Sequence, residues 1–404
     1  MQNLHKEIYK TIEDHNYLTF NKVADSIPCT AQELSHFGIH GGFSFRKILR
    51  LSFILHPLNQ KEVMDEWCLR FNTTESIKQC FEYASITRNK VLLKMLLEKY
   101  QSDQSLSKYV AVYAILYDYY MFKFEADKLP EKLEKVGKLK NELAILSDIM
   151  QCYRYYYLKE YDSMLSTAKA IEKSIHKLKD RQLFIKESYL HRIAEVLGHA
   201  SLHFNDAESA RYYANLIIYA DICAKTVSGA YDILGMSYLS EDKNKCIQYL
   251  QTRYDIAKTI GEPSIEKMAR RNLDYAKLYL NIELDTDSDP ILLRLQNNKG
   301  SEFELKLLKE EVFQKGEDDF LVLLRAISKN SLESIHRCRQ EFFKKRNYLF
   351  TSLAARASKN AGENSPLIEE FIDIKTETKG DVHFEENYIK CFNRISRDRN
   401  SISA

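Results

Sequence analysis

At 404 residues the chain is long enough for a small N-terminal module followed by an extended repeat array, and its 45% hydrophobic content supplies a sizeable core. Twelve glycines and six prolines are too few for β-sandwiches, dinucleotide-binding folds or disordered linkers, so an all-helical protein fits best. Fifty-nine basic residues against 57 acidic ones exclude a general bias toward polyanions, which leaves any nucleic-acid contact to a local patch.

The eight cysteines stand singly, without a Cys-x-x-Cys pair or metal-ligand spacing, and read as buried thiols in a reducing cytoplasm. The first thirty residues lack an apolar signal core, and no run of about 18 apolar residues occurs. The expectation is a soluble cytoplasmic protein with no membrane partner.

Residues 4 to 14 read as a short amphipathic helix with Leu4, Ile8 and Ile12 on one face. A helix-turn-helix pattern follows, its core drawn from Val23, Ala24, Ile27, Cys29, Leu34 and Phe37. Pro28 stands at the turn, where glycine is usual; proline suits a turn but forbids the positive φ that glycine supplies. In a DNA reader, Thr30 to Phe37 would be the recognition helix. Thr30, Gln32, Ser35 and His36 would then face bases, while Arg46, Lys47 and Arg50 hold phosphates. Residues 1 to 60 hold six Lys or Arg against five Asp or Glu, a weak surplus for a task that phosphate contacts dominate. A helical cap that keeps the fold of a DNA-binding domain without its activity stands beside the DNA reading.

Gly38, Gly41 and Gly42 form a glycine cluster that follows no strand, and it reads as a flexible loop. Ser44 is placed to cap a helix through Leu55, which Pro57 ends. From Gln60 the periodicity is that of continuous helical hairpins. The tyrosines between 109 and 120, and those from Tyr153 to Tyr157, fall at helical spacing and read as repeat core rather than a base-stacking surface.

The stretch from Tyr189 to Gly261 organises the array. Leu197-Gly198 and Ser201 precede a turn at Asn205-Asp206, then Ala210, Ala214 and Ile217. Leu234-Gly235 and Tyr238 precede a turn at Glu241-Asp242, then Cys246, Leu250 and Ala257. The glycines are 37 residues apart (235 − 198), close to a tetratricopeptide period of about 34. Such hairpins bury their apolar faces only against neighbours, and the expected product is a superhelix with a concave ligand surface.

Past Pro263, the acidic segment Asp285 to Pro290 lacks the glycine and terminal glutamate of a calcium loop and reads as a solvated turn. The basic run Arg337, Arg339, Lys344, Lys345 and Arg346 reads as a solvated face. Near the C-terminus, Leu367, Ile368, Phe371 and Ile372 make one apolar stripe. Phe384, Tyr388, Ile389, Phe392 and Ile395 make a second, and two outcomes compete: a monomer in which the second stripe caps the first, and the favoured one, a homodimer with two-fold symmetry in which it enlarges the shared surface. No catalytic motif, phosphate-binding loop or cofactor fingerprint emerges, so neither an enzyme nor a cofactor is expected. His199 and His203 lie four apart on one helix face without a third ligand nearby, so no metal is expected there either.

The expected architecture is all-α: an N-terminal helix-turn-helix domain (1–56), a tetratricopeptide-like right-handed helical superhelix (60–372), and a C-terminal extension (373–404) with one amphipathic helix. The order of these parts resembles the arbitrium receptor (AimR) family of SPbeta-like Bacillus phages. The resemblance rests on NKVADSIPCTAQELSHFGIHGGFSF from Asn21, SYLHRIAEVLGHASLHFND from Ser188, YDILGMSYL from Tyr231, FFKKRNYLF from Phe342 and GENSPLIEEFI from Gly362. It implies a homodimeric cytoplasmic regulator whose N-terminal domain binds a phage operator and whose superhelix binds a short secreted peptide, shifting the choice between lysis and lysogeny. Where the resemblance puts peptide-contacting asparagines stand His199, His203 and Met236; Lys225 replaces an arginine and Tyr348 an aspartate. Only Lys225 keeps the chemistry. The groove thus reads as stripped of its acidic and amide partners, implying a different ligand or protein partner, or a paralogue that kept the scaffold and supports lysogeny.

Overall fold

The computed structural model describes residues 4–14, 18–27, 29–179, 182–297, 318–329 and 331–378, and among these there is no β-strand. They fall into two compact units. One runs to Ile193 and takes in Tyr219–Cys223; the other comprises Ala194–Ile218 and the described residues from Ala224 onward. Pro28 and the stripe from Phe384 to Ile395 lie outside the described residues.

The first unit opens with α1 (Leu4–Glu13), α2 (Phe20–Ser26), α3 (Ala31–His40) and α4 (Phe45–Leu55). Hydroxyls start three of them. The Thr19 and Ser44 side chains accept from backbone N–H groups of α2 and α4, and Thr30 shares a reciprocal capping box with Glu33. Val23, Ala24, Ile27, Leu34 and Phe37 are buried as the pattern requires, with Cys29 half-buried. The glycine cluster is not simply a loop. Gly38 lies inside α3, where a Cβ would stand 2.2 Å from the Tyr9 ring, so its bare backbone is what lets α1 lie on α3. Gly41 ends the helix at φ 73.

Hairpins continue the unit through α5 (Gln60–Arg70), α6 (Thr74–Ile86), α7 (Lys90–Tyr100), α8 (Ser107–Tyr120), α9 (Leu129–Glu134), α10 (Asn141–Tyr157), α11 (Tyr161–His176) and the first half of α12 (Leu183–His203). Arg70 grips Glu7 of α1 with two nitrogens at 3.0 and 2.8 Å. The centre of the unit is polar. Arg192, 1% exposed, donates to Glu82 at 3.0 Å, to the Ser85 hydroxyl at 2.8 Å and to the Tyr120 hydroxyl at 3.3 Å, while Tyr113 donates to Glu82 at 2.7 Å. Tyr109, Tyr113 and Tyr120 are therefore core, but they also carry hydroxyls that satisfy buried charge. The reading of Tyr153 to Tyr157 as core fails at its end: Tyr156 and Tyr157 are 44% and 49% exposed. They lie in the last turn of α10, beyond Cys152, the last buried residue of the helix.

The second unit holds the rest of α12 and α13 (Ala207–Ala220), α14 (Ala224–Ser237), α15 (Lys243–Ile260), α16 (Pro263–Tyr279), α17 (Pro290–Asn297), α18 (Asp319–Ser328), α19 (Leu332–Lys344), α20 (Tyr348–Asn360) and α21 (Pro366–Ile372). The two repeat glycines are contact points. A Cβ on Gly198 would meet Ile233 Cδ1 of the next hairpin at 3.0 Å, and one on Gly235 would meet Leu250 Cγ of its own hairpin at 2.6 Å. Ala210, Ala214, Cys246, Leu250 and Ala257, the small and apolar partners of the pattern, are fully buried.

One surface reading gains detail and two change. The acidic segment is an exposed turn whose acids are engaged: Asp285 pairs with Lys277 at 2.7 Å, Asp287 with Arg270 at 2.8 Å, and buried Ser288 donates to Asp274 at 3.0 Å. Its acids neutralise cations projecting from α16. The basic run is not wholly solvated, since Arg339 is 6% exposed with its guanidinium 4.4 Å from the Phe371 ring centroid. Finally, Ile368 and Ile372 are buried with Ala355 and Phe371 is partly buried, while Leu367 stays 52% exposed. Most of that stripe is thus covered within the chain.

Candidate ligand groove and nucleic-acid face

On α3 the four residues expected to read bases are all exposed: Thr30, Gln32, Ser35 and His36. With Gly41, Gly42 and Lys47, three of them line a shallow recess of about 570 Å³. Thr30 is not a free hydroxyl. It accepts the Glu33 N–H at 3.1 Å, and its own N–H donates to the Glu33 carboxylate at 2.8 Å. That hydrogen bond, with Lys47 beside it, holds the Glu33 carboxyl below its ordinary range. The expected phosphate holders are half-buried and already neutralised in part. Arg46 meets the buried carboxylate of Glu187 at 2.7 Å, and Lys47 lies 3.7 Å from Glu33.

In the second unit the expected groove residues do not form one set. Met236 is 6% exposed and packs in the core with Leu239, Cys246 and Leu250, because it follows Gly235 on the face turned toward α15. Lys225 stands 3.6 Å from Glu262. His203 and Tyr348 come near each other through a third ring. Phe204 lies edge-on to His203 at 5.7 Å and tilted against Tyr348 at 6.0 Å.

His199 belongs to a different cluster, which sequence reasoning missed. Burial pushes its imidazole pKa down, against the carboxylates of Asp232 and Glu195, which pull it up. Asp232 of α14 accepts from Arg253 of α15 at 2.5 Å and from the Asn272 amide of α16 at 3.2 Å. Arg253 is 4% exposed, whereas the Asp232 side chain keeps 17% of its surface. Helices α12, α14, α15 and α16 thus bring a histidine, an acid, a guanidinium and an amide together. Acidic and amide groups are present in this unit, at positions other than 199, 203, 225, 236 and 348. A signal was present in the repeat itself, for Glu195 and Asp232 each stand three residues before the repeat glycine.

The groups in such a cluster can pair with ions and hydrogen-bonding groups. Among the described residues no three His, Cys, Asp or Glu side chains gather as a metal-holding group. Nor is any helix among them long and apolar enough to cross a membrane.

No curated protein sequence matches the chain. Two solved structures share its fold at a TM-score of 0.63. One, of selenomethionine phAimR, is 18% identical and covers 91% of this chain and 99% of its own; the other, of phAimR with a ligand, is 19% identical and covers 80% and 98%. Residues 60–357, a span that takes in every member of the polar cluster and both repeat glycines, match the family described as AimR transcriptional regulator-like, and the chain belongs to that family.

Proposed function

We propose that the chain is a non-enzymatic regulator of the lysis–lysogeny decision of a phage or prophage, one that supports lysogeny and responds to a short peptide or protein partner bound by its second unit. The observation that carries this reading is the cluster around Asp232. A ligand bearing a guanidinium or ammonium would share the Asp232 carboxylate with Arg253, meeting its still accessible edge, and use the Asn272 side-chain oxygen and Glu195 as further acceptors, which offsets the cost of burying an unpaired cation. A protein of the same fold, phAimR, has been solved with a ligand, which supports ligand binding as the use of this scaffold.

Deleting the gene from a lysogen and measuring spontaneous and induced phage release tests the physiological role; unchanged release under both conditions would sink it. In this reading residues 1–56 are a DNA-binding-like domain, residues 60–372 carry the ligand, residues 373–404 are an appended segment, and the protein works as a homodimer in the host cytoplasm. A monomer by light scattering would remove the dimer.

A second reading has a specific observation behind it, the exposed row Thr30, Gln32, Ser35 and His36 on α3. In that reading the protein is a peptide-responsive DNA-binding regulator, with Arg46, Lys47 and Arg50 on phosphates. Affinity for the phage promoter would then fall steeply with salt. Binding no tighter to promoter fragments than to random DNA would leave α3 as a structural cap.

A further inference from the structure

The last described stretch of the second unit, Ile374–Thr378, carries neither helix nor strand, yet it is held along its length by the turn between α12 and α13. Alternate residues are gripped. Asn205, at φ 58, donates its side-chain amide to the Ile374 carbonyl at 2.8 Å, and the Phe204 carbonyl accepts the Thr376 N–H at 3.0 Å. The Asp206 carboxylate then accepts both the N–H and the hydroxyl of Thr378, each at 2.8 Å. Ser201 adds a hydroxyl pair with Thr378 at 2.6 Å, and Thr378 is fully buried.

The period of two is that of an extended chain bound through its backbone, the mode by which peptide strands are recognised. Asp206 divides its oxygens: Oδ1 accepts the Ser209 N–H at 3.2 Å and caps α13, and Oδ2 is given entirely to Thr378. Hydrogen bonds from Thr378 and Ser209 hold its carboxyl below the ordinary range although burial would raise it. The segment is not wedged into solid core either. Beside it is a cavity of about 300 Å³ lined by Asn205, Ser237, Glu241, Arg356 and Lys375.

We propose that the α12–α13 turn is a binding site for an extended peptide segment, reading the backbone of alternate residues and one hydroxyl side chain, and that the chain's own residues 374–378 fill it. A tethered segment faces its site at an effective concentration of about the millimolar range, so it fills a site whose intrinsic affinity is weak. The inference does not depend on what binds near Asp232.

A labelled synthetic peptide with the sequence of residues 373–378 tests the site. The full-length chain should show no saturable binding up to about 1 mM, because its site is filled. A full-length Thr376→Pro, Thr378→Val variant, which lacks the gripping N–H and hydroxyl, should bind the peptide at least about tenfold better. Adding Asp206→Ser, which keeps a helix-capping oxygen, should abolish that gain. A released variant that binds no better than the parent, or binding indifferent to Asp206→Ser, would overturn the proposal. Amide exchange on the unaltered chain gives an independent reading. Thr376 and Thr378 should be protected but open well before the buried amides of α12; exchange in step with α12 would make the segment ordinary core and also overturn it.

Discussion

Each unit contains a buried arginine paired to a carboxylate, and the two pairs are finished differently. In the first unit Arg192 and Glu82 are sealed, with Ser85, Tyr113 and Tyr120 spending their hydroxyls on the same two charges. In the second, Asp232 accepts from Arg253 and from Asn272 and keeps part of its surface open. A saturated pair specifies how helices register, since every donor is tied to one acceptor. A pair with an accessible acceptor has room for exchange. The same two charged groups, a guanidinium and a carboxylate, thus act as a lock in one place and as a candidate receptor in the other.

The largest expected effect comes from breaking the lock. Arg192→Met should cost about 3–5 kcal/mol in urea unfolding, because Glu82 is left charged and buried. The double substitution Glu82→Leu with Arg192→Met should recover much of that loss, and a double variant as unstable as the single would show that the hydroxyls, not the charges, carry the cost. Gly235→Ala comes next, at about 1–3 kcal/mol, since the new methyl meets Leu250 at 2.6 Å. Its control is Gly229→Ala in the same helix, where nothing lies within 4 Å; that change should be neutral or stabilise by about 0.5–1 kcal/mol in thermal melts.

Asp232→Asn sharpens the comparison directly. It should cost about 1–2 kcal/mol, less than half the Arg192→Met effect, because the neutral amide still accepts and the site is partly solvated. An equal cost in calorimetry would mean that the second pair is as closed as the first. The smallest effect is a pH dependence from His199. Burial sets its folded pKa below 6.5, so the unfolded chain binds the extra proton between the two values. Its contribution is constant above about pH 6.5 and declines as acidification proceeds toward the folded pKa. His199→Gln should flatten the melting temperature over pH 7.5 to 5, and an unchanged slope would place the titrating group elsewhere.

Helix boundaries and caps were legible because they are local. Ser44 before Lys47 and Gly261 after Ile260 each announce an end within four residues, whereas Thr30, read from the sequence as a base contact, is spent on capping α3 with Glu33. The repeat period was legible for the same reason, carried by glycines and alanines at fixed offsets. Arg192 was not. Nothing near it in sequence reveals that Glu82, 110 residues away, will absorb its charge. The candidate groove was half visible: Asp232 lies inside a motif that the sequence singles out, yet its partners Arg253 and Asn272 come from the next two helices, and only packing brings them together. The acidic segment is the exposed turn that its composition announces, but its ion pairs with Arg270 and Lys277, on a helix that ends before it, were not legible.

Gly198 fits Ile233, a residue of the following hairpin, whereas Gly235 fits Leu250 of its own. The two repeats look interchangeable in pattern but are not spare parts. A hairpin transplanted or duplicated at this point would carry a notch cut for a neighbour it no longer has. Enlarging residue 198 is therefore accommodated most easily when residue 233 is trimmed with it, because the two meet across the boundary between hairpins.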